Sequence, residues 1–317
     1  PKRVPRTEYS AGGHWDLVAE VTGVRVGPDN SQAERDAASQ AFVKAWNYDL
    51  IWNVLIHGEA FGDLRTDMGH AEYAAGGTDR RDTVHCPFSD PEQVLALDPW
   101  EAFGSIDRAA TARRFEEHYR ANVRAFPDAV NMTGIYVTLV SGLIEIFGWE
   151  MMLLAAGTDP KRFGELADRY AAWVQQYFDA LADADVPVVM VHDDIVWTSG
   201  PFLHPDWYRE HVFPNYRKLL APLLAAGKRV LFTSDGTYTM FVDDIVDCGV
   251  HALFLEPTTD MAYVAERHGR AAQPAPAPRA SAAGEVNVNG AAAAASGREE
   301  ITRFLLAREV ASQLQEA

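Results

Sequence analysis

The sequence predicts an α/β fold built on a parallel sheet, because short apolar runs alternate along the chain with amphipathic helical patterns. The apolar runs are continuous, as is typical of strands that are buried on both faces. No GxGxxG loop follows the first strand and no Walker-type lysine loop occurs, so nothing favours an open nucleotide-binding sheet. We therefore predict a single-domain (β/α)8 TIM barrel over residues 1–317.

Six strands are predicted from the apolar runs. They span residues 4–9, 50–56, 131–137, 187–192, 229–233 and 252–255.

Helices are predicted between these strands from apolar residues at i, i+3, i+4 and i+7 spacing, most clearly over residues 115–126 and 163–181. A further helix is predicted over about residues 206–224. Pro214 and Pro222 are expected to kink or interrupt it, because proline donates no backbone hydrogen bond.

The segment 270–297 differs in composition, since it is rich in alanine and proline. It is either a flexible insertion or a stretch whose residue identities are poorly known. The second interpretation is favoured because a strand-like run, residues 285–290, lies inside it and a helical pattern, residues 298–316, follows.

The composition excludes several classes of function. The net charge of −17 argues against nucleic acid as a partner, since nucleic-acid binding needs a basic surface. No secretory signal and no apolar run of membrane-spanning length is recognised, so no membrane partner is expected. The two cysteines, Cys86 and Cys248, form no disulfide framework, which suits the reducing cytoplasm.

Functional residues of a barrel lie at the carboxyl ends of its strands, and acids and histidines are found at several predicted strand ends here. Unpaired charges are costly to bury, so these residues need partners or a function. Each also has a structural interpretation: Asp193 or Asp194 could cap a turn or a helix, His192 could be a core residue, and Asp235 with Gly236 could form a turn. The strand-end and neighbouring loop residues are Glu8, His14, His57, His70, Tyr136, His192, Asp193, Asp194, Asp235 and Glu256.

Carboxylates and imidazoles that converge on one barrel mouth suit two kinds of chemistry. One is binding of a divalent metal ion, for which zinc accepts His and Asp or Glu ligands. The other is general acid–base catalysis by groups with shifted pKa values. Strand-end position gives no distances, so both remain open.

The segment 188–257 resembles the uroporphyrinogen decarboxylase superfamily in the order and spacing of its motifs. An Asp-rich strand end in VVMVHDDIVWTSGPF is followed by a Gly-Pro turn, then by a strand that ends in TSDG, and then by GVHALFLEP. The segments NMTGIYVTLVSGLIEIFG at 131–148 and RVPRTEY at 3–9 also resemble this superfamily. The resemblance implies a (β/α)8 barrel with one deep cleft.

Members of that superfamily differ in chemistry. The resemblance implies either cofactor-free decarboxylation of a porphyrinogen, or methyl transfer that uses zinc and a corrinoid methyl carrier. The paired arginines that bind a porphyrinogen's carboxylates in the decarboxylases have no counterpart near Arg6. Where the zinc methyltransferases have an HxCG motif, this chain has Thr233-Ser234-Asp235-Gly236, so both the His and the Cys are missing. A third hypothesis is therefore a non-catalytic barrel that binds a tetrapyrrole or a corrinoid protein.

We predict a methyltransferase-like enzyme that acts on a small molecule, with a corrinoid protein and a second copy of the chain as expected partners. Zinc, if present, would activate the leaving group. The candidate catalytic residues are Asp194, Tyr136, Glu8 and His57; the candidate substrate-binding residues are His14, Ser199, Arg6 and His70; the candidate metal ligands are His192, Asp235 and Glu256.

Overall fold

A computed structural model describes residues 7, 11–66, 85–256 and 258–268. The described strands are β1 (Leu50–Ile51), β2 (Val130–Asn131), β3 (Thr133–Ile135), β4 (Val188–His192), β5 (Arg229–Thr233) and β6 (Ala252–Phe254). The described α-helices are α1 (Trp15–Thr22), α2 (Gln32–Ala45), α3 (Pro91–Leu95), α4 (Pro99–Phe103), α5 (Arg108–Ala125), α6 (Val140–Thr158), α7 (Pro160–Asp183), α8 (Pro205–Trp207), α9 (Phe213–Ala225), α10 (Val242–Val246) and α11 (Met261–His268).

The described strands are all parallel and are neighbours in chain order. β1 pairs with β2, and β3, β4, β5 and β6 form a four-stranded sheet in that order. A bridge between Ile56 and Ile135 joins the two sets. This order has no point at which the strands reverse direction across the sheet, unlike a doubly wound sheet. The fold class is therefore parallel α/β; closure into a barrel is not observed within the described ranges.

Two predicted strands are less regular than expected. The run 131–137 is divided into β2 and β3 around Met132, and the run 50–56 pairs only at its two ends. The hydroxyl of Thr7 donates a hydrogen bond to the carbonyl oxygen of Leu50, so Thr7 lies beside β1. Residues 4–6 and 8–9 of the first predicted strand, and the predicted elements after residue 270, lie outside the described residues. The single-domain assignment stays a prediction.

The helix predicted over residues 206–224 is present from Pro205 to Ala225, and its prolines do not end it. A π-helical turn, Tyr208–Val212, comes directly before Pro214 and supplies the wider backbone that a proline ring needs inside a helix. Pro222 lies within α9. The expected interruption is therefore a change of helical type.

The core lies between the sheet and the long helices. The apolar face of α7 is fully buried, with Trp173, Tyr170 and Phe178 among its largest side chains. Helix α6 is bent at Gly148, whose φ of 70° is open to glycine but strained for other residues. By length and composition α6 could cross a membrane, contrary to the expectation of no such run. However, 56% of its apolar window is buried against the rest of the chain.

Candidate active site

Three aromatic rings form a stack at the carboxyl ends of neighbouring strands. His57 follows the strand segment that contains Ile56, Tyr136 follows β3, and His192 ends β4. The rings of Tyr136 and His192 are stacked with centroids 4.0 Å apart, and those of His57 and Tyr136 with centroids 5.4 Å apart. The indole of Trp52 meets His192 edge-on at 6.1 Å. The parallel order of the strands therefore brings three predicted site residues together.

His192 is buried and forms an ion pair with Asp194. Its Nε2 atom lies 3.3 Å from Oδ1 of Asp194, and its Nδ1 atom lies 3.4 Å from the carbonyl oxygen of Tyr136. Burial opposes protonation of the imidazole, but the carboxylates of Asp194, Asp235 and Asp193 together outweigh it. The pKa of His192 is therefore raised, and the cation is favoured.

His57 has the opposite electrostatic environment. Its side chain is exposed at the surface, yet desolvation by the surrounding protein lowers its pKa. Glu59 and the backbone of Val54 act in the other direction, while His192 lowers the pKa further. The two histidines on either side of Tyr136 in strand order therefore have pKa values shifted in opposite directions, toward the neutral form for His57 and toward the cation for His192.

Asp194 links β4 to the loop after β5. Its Oδ1 atom accepts a hydrogen bond from the backbone N–H of Asp235 at 3.0 Å, in addition to its contact with His192. Asp194 is 21% exposed as a side chain, whereas His192 is 2% exposed. The carboxylate of Asp194 is therefore the more exposed partner of this ion pair at the strand ends.

Asp193, next to Asp194, has a structural role that the sequence indicated only as one of two alternatives. Its buried carboxylate accepts hydrogen bonds from the backbone N–H groups of Val140 and Ser141 at the start of α6, and from the hydroxyl of Tyr216. Burial raises the pKa of Asp193, and these three donors oppose that shift. Asp193 does cap a helix, but one that precedes it in the chain by about fifty residues.

Glu256 and Asp235 do not form a metal site with His192. Within the described residues, no group of three or more His, Cys, Asp or Glu side chains is arranged to bind a metal ion. Oε2 of Glu256 instead accepts a hydrogen bond from the backbone N–H of Gly236 at 2.7 Å. Gly236 has a φ of 81° and lies in the turn that the Asp-Gly pair indicated. The described donor atoms therefore do not fit zinc.

Of the remaining predicted residues, two are described and three are not. Ser199 is exposed in a tight turn closed by reciprocal backbone hydrogen bonds between Trp197 and Gly200. His14 is the N-cap residue of α1 and makes no capping bond with its side chain. Glu8, Arg6 and His70 lie outside the described residues.

The described strand ends are acidic and aromatic. The segments 52–60, 136–141, 192–200, 233–240 and 255–260 contain no lysine or arginine. Trp197 and Met240 are exposed on the loops that follow β4 and β5. The described part of the mouth therefore offers none of the bidentate donors that a polycarboxylate substrate needs.

Comparison with known proteins places the chain in a family. A family model described as uroporphyrinogen decarboxylase (URO-D) matches residues 108–276, more than half of the chain. The chain belongs to the uroporphyrinogen decarboxylase family. The matched region contains Tyr136, His192, Asp194, Asp235 and Glu256 but not His57, so the URO-D match covers only part of the ring stack.

The other comparisons add little detail. A solved structure of a methyltransferase from Methanosarcina mazei is similar, with a TM-score of 0.49 and 15% sequence identity, over 80% of this chain and 71% of that one. No curated protein matches the sequence.

Proposed function

We propose that this URO-D family member is a methyltransferase-like enzyme with its active site at the carboxyl-terminal mouth of a (β/α)8 barrel. The observation that carries the proposal is the pair of histidines stacked on Tyr136 whose pKa values are shifted in opposite directions. Titratable groups whose environments move their pKa values apart are suited to different roles in acid–base chemistry.

A barrel is supported by the order of the strands. Because β2 and β3 belong to one run of the chain, the six strands β1 to β6 occupy five positions. These five positions lie side by side in chain order, and their strands point the same way. A (β/α)8 barrel has this arrangement, and its active site lies at the carboxyl ends of the strands. The ring stack lies at these ends.

His57 is the base in our proposal. A neutral imidazole that is open to solvent can take the proton from a thiol, hydroxyl or amine as that group attacks a methyl carbon. The new bond joins the acceptor atom to the methyl carbon, and the bonding pair stays with the methyl carrier. In the reverse direction, His57 returns the proton to the leaving atom.

Asp194 and His192 supply fixed charges beside this base. The His192 cation disfavours protonation of His57 before reaction, and Asp194 holds that cation in place. Tyr136 separates the two imidazoles in strand order and orients the ring of His57 by stacking. Glu8 remains proposed as a further catalytic residue, and Arg6, His14, His70 and Ser199 remain proposed as substrate contacts.

A corrinoid on a partner protein is the proposed methyl carrier. Its fit is supported by the exposed Trp197 and Met240 on the rim loops, which offer apolar surface to a large flat ligand. The corrinoid would supply the reactive methyl group. Zinc is given no role in the proposed steps, because the described donors do not form a ligand set. We also propose a cytoplasmic location and a homodimer.

The decisive experiment is an anaerobic methyl-transfer assay with free methylcobalamin as donor and simple thiols or phenols as acceptors. Loss of the methylcobalamin absorbance and the mass of the methylated product are measured together. The protein is expected to accelerate transfer, and His57→Ala to reduce the rate by about a hundredfold, as for loss of a general base. His204→Gln changes an exposed histidine before α8 and is the matched control.

The second candidate is porphyrinogen decarboxylation, which the name of the matched family favours. The absence of basic residues from the described strand ends opposes it. Release of carbon dioxide from uroporphyrinogen, without methyl transfer, would establish this alternative. Cobalamin binding without either reaction would favour a non-catalytic barrel. Zinc at one ion per chain that is lost in His192→Ala would contradict the role given to His192.

A further inference from the structure

Helix α6 begins beside the residues that follow β4, and its first backbone N–H groups are bound by Asp193, the residue directly after that strand. The residue before the helix, Leu139, provides no side-chain cap. The carboxylate of Asp193 caps the helix instead. It accepts hydrogen bonds from the backbone N–H of Ser141 at 2.5 Å and from the backbone N–H of Val140 at 3.1 Å. A carboxylate at this position satisfies donors that an α-helix leaves unpaired at its start.

The contact is reciprocal. The side-chain oxygen of Ser141 accepts a hydrogen bond from the backbone N–H of Asp194 at 2.7 Å. Asp193 therefore holds the backbone of Ser141, and the side chain of Ser141 holds the backbone of Asp194. Asp193 is fully buried and Ser141 is 4% exposed, so water has little access to replace either bond.

These hydrogen bonds of Asp193 and Ser141, which we call the clamp, act directly on the His192–Asp194 pair. The Asp194 backbone is held by Ser141, and its Oδ1 atom lies 3.3 Å from His192 and 3.0 Å from the N–H of Asp235. A hydrogen bond to the N–H fixes the peptide from which the Asp194 side chain extends. If that peptide shifts, the carboxylate moves relative to the imidazole.

We propose that Ser141 is a positioning residue that keeps the Asp194 carboxylate in contact with His192 beside the ring stack. This inference rests on the proposed function for its catalytic meaning, but the positioning itself is independent of any substrate. Ser141 lies more than fifty residues from Asp194 in the chain, on a different element.

The test is the titration of His192, followed by its imidazole NMR signals and assigned with His192→Gln. Ser141→Ala is expected to shift the midpoint to lower pH, because Asp194 no longer stabilises the cation as well. Ser141→Thr retains a hydroxyl and is expected to restore the wild-type midpoint. Thr133→Val is the matched control: it removes a buried hydroxyl that hydrogen bonds His118 and leaves the clamp unchanged.

An unchanged His192 midpoint in folded Ser141→Ala would overturn the inference, as would an equal shift in Thr133→Val. If Ser141→Ala does not fold, Ser141→Cys provides a weaker acceptor, and a smaller shift in the same direction is expected. The NMR titration needs no substrate, so failure of the methyl-transfer assay leaves its result valid. Where methyl transfer is observed, Ser141→Ala is expected to lower its rate roughly tenfold to a hundredfold, as displaced catalytic groups do.

Discussion

The ring of Tyr136 lies parallel to the imidazole of His192, with their planes 10° apart and their centroids separated by 4.0 Å. An aromatic face attracts a cation through its quadrupole, and this attraction is stronger where water is excluded. Tyr136 is 7% exposed and His192 is 2% exposed, so the contact is largely desolvated. The stack is therefore expected to stabilise the protonated state of His192.

Replacement of Tyr136 separates the ring from the hydroxyl. Tyr136→Phe keeps the stacked face, so the pKa of His192 is expected to remain raised. Tyr136→Leu removes the face, and the pKa of His192 is expected to fall. Truncation of the buried ring is also expected to cost about 1–3 kcal/mol of unfolding free energy. NMR titration and urea denaturation measure the two effects, and an equal pKa in both variants would contradict the role of the ring.

Asp194 determines how stability depends on pH. Because the folded pKa of His192 is raised, the stabilisation that this group provides is complete below the unfolded pKa of about 6.5. It is lost as pH rises through the folded value. Asp194→Asn is expected to make stability depend less on pH over this range. It is also expected to destabilise the protein at pH 6 by about 2 kcal/mol, which is less than for a fully buried pair because Asp194 is partly exposed.

The measurement for Asp194 is the thermal midpoint between pH 5.5 and 8.5 for wild type and Asp194→Asn. Asp206→Asn is the control, since Asp206 forms a comparable contact with His204 but both side chains are exposed. The proposed ion pair would be contradicted if the contribution of His192 to the wild-type thermal midpoint increased with pH.

The two histidines are expected to be coupled. Desolvation is the main reason that the pKa of His57 is lowered, and the charge on His192 contributes in the same direction. His192→Gln removes that charge, so the pKa of His57 is expected to rise but to stay below its ordinary value. The imidazole signals of His57 measure this directly, with His204→Gln as control. An unchanged His57 titration in His192→Gln would show that the two rings do not interact electrostatically.

The sequence predicted the strands and their ends better than the contacts between them. The positions of His57, Tyr136 and His192 at strand ends followed from apolar runs, and the parallel sheet brings them into one stack. Asp193 and Asp194 are adjacent in the segment after β4, but their side chains have different partners. Asp193 caps α6 and Asp194 contacts His192, which local sequence could not decide.

Contacts between distant residues account for what the sequence did not reveal. Ser141 is an ordinary serine at a helix start by any local pattern, and its partner Asp194 is known only from the hydrogen bond that joins the start of α6 to the residues after β4. Likewise, Glu256 follows a strand in the way that a metal ligand would, but its carboxylate accepts a hydrogen bond from the backbone N–H of Gly236. Strand-end position gave the residue types at the mouth without their distances.

Two glycines near the site offer a test of how closely the sheet is packed. A Cβ atom at Gly134, on β3, would lie 1.8 Å from the backbone carbonyl oxygen of Met190 on the paired strand β4. A Cβ atom at Gly58 would lie 2.1 Å from Oε1 of Glu145, which is the end of a flexible side chain. Neither glycine has a positive φ, so the difference between them is steric.

Gly134→Ala is therefore expected to destabilise the protein by more than about 3 kcal/mol, because two backbones must separate within the sheet, beyond the usual cost of overpacking. Gly58→Ala is expected to cost about 1 kcal/mol, since the Glu145 side chain can move. Urea denaturation with a common slope compares the two variants. Because β3 leads into Tyr136, separation of β3 from β4 should also weaken the stack of Tyr136 on His192. Gly134→Ala should therefore lower the pKa of His192, whereas Gly58→Ala should leave it raised. Equal destabilisation by the two alanines would mean that β3 and β4 are not paired in this register.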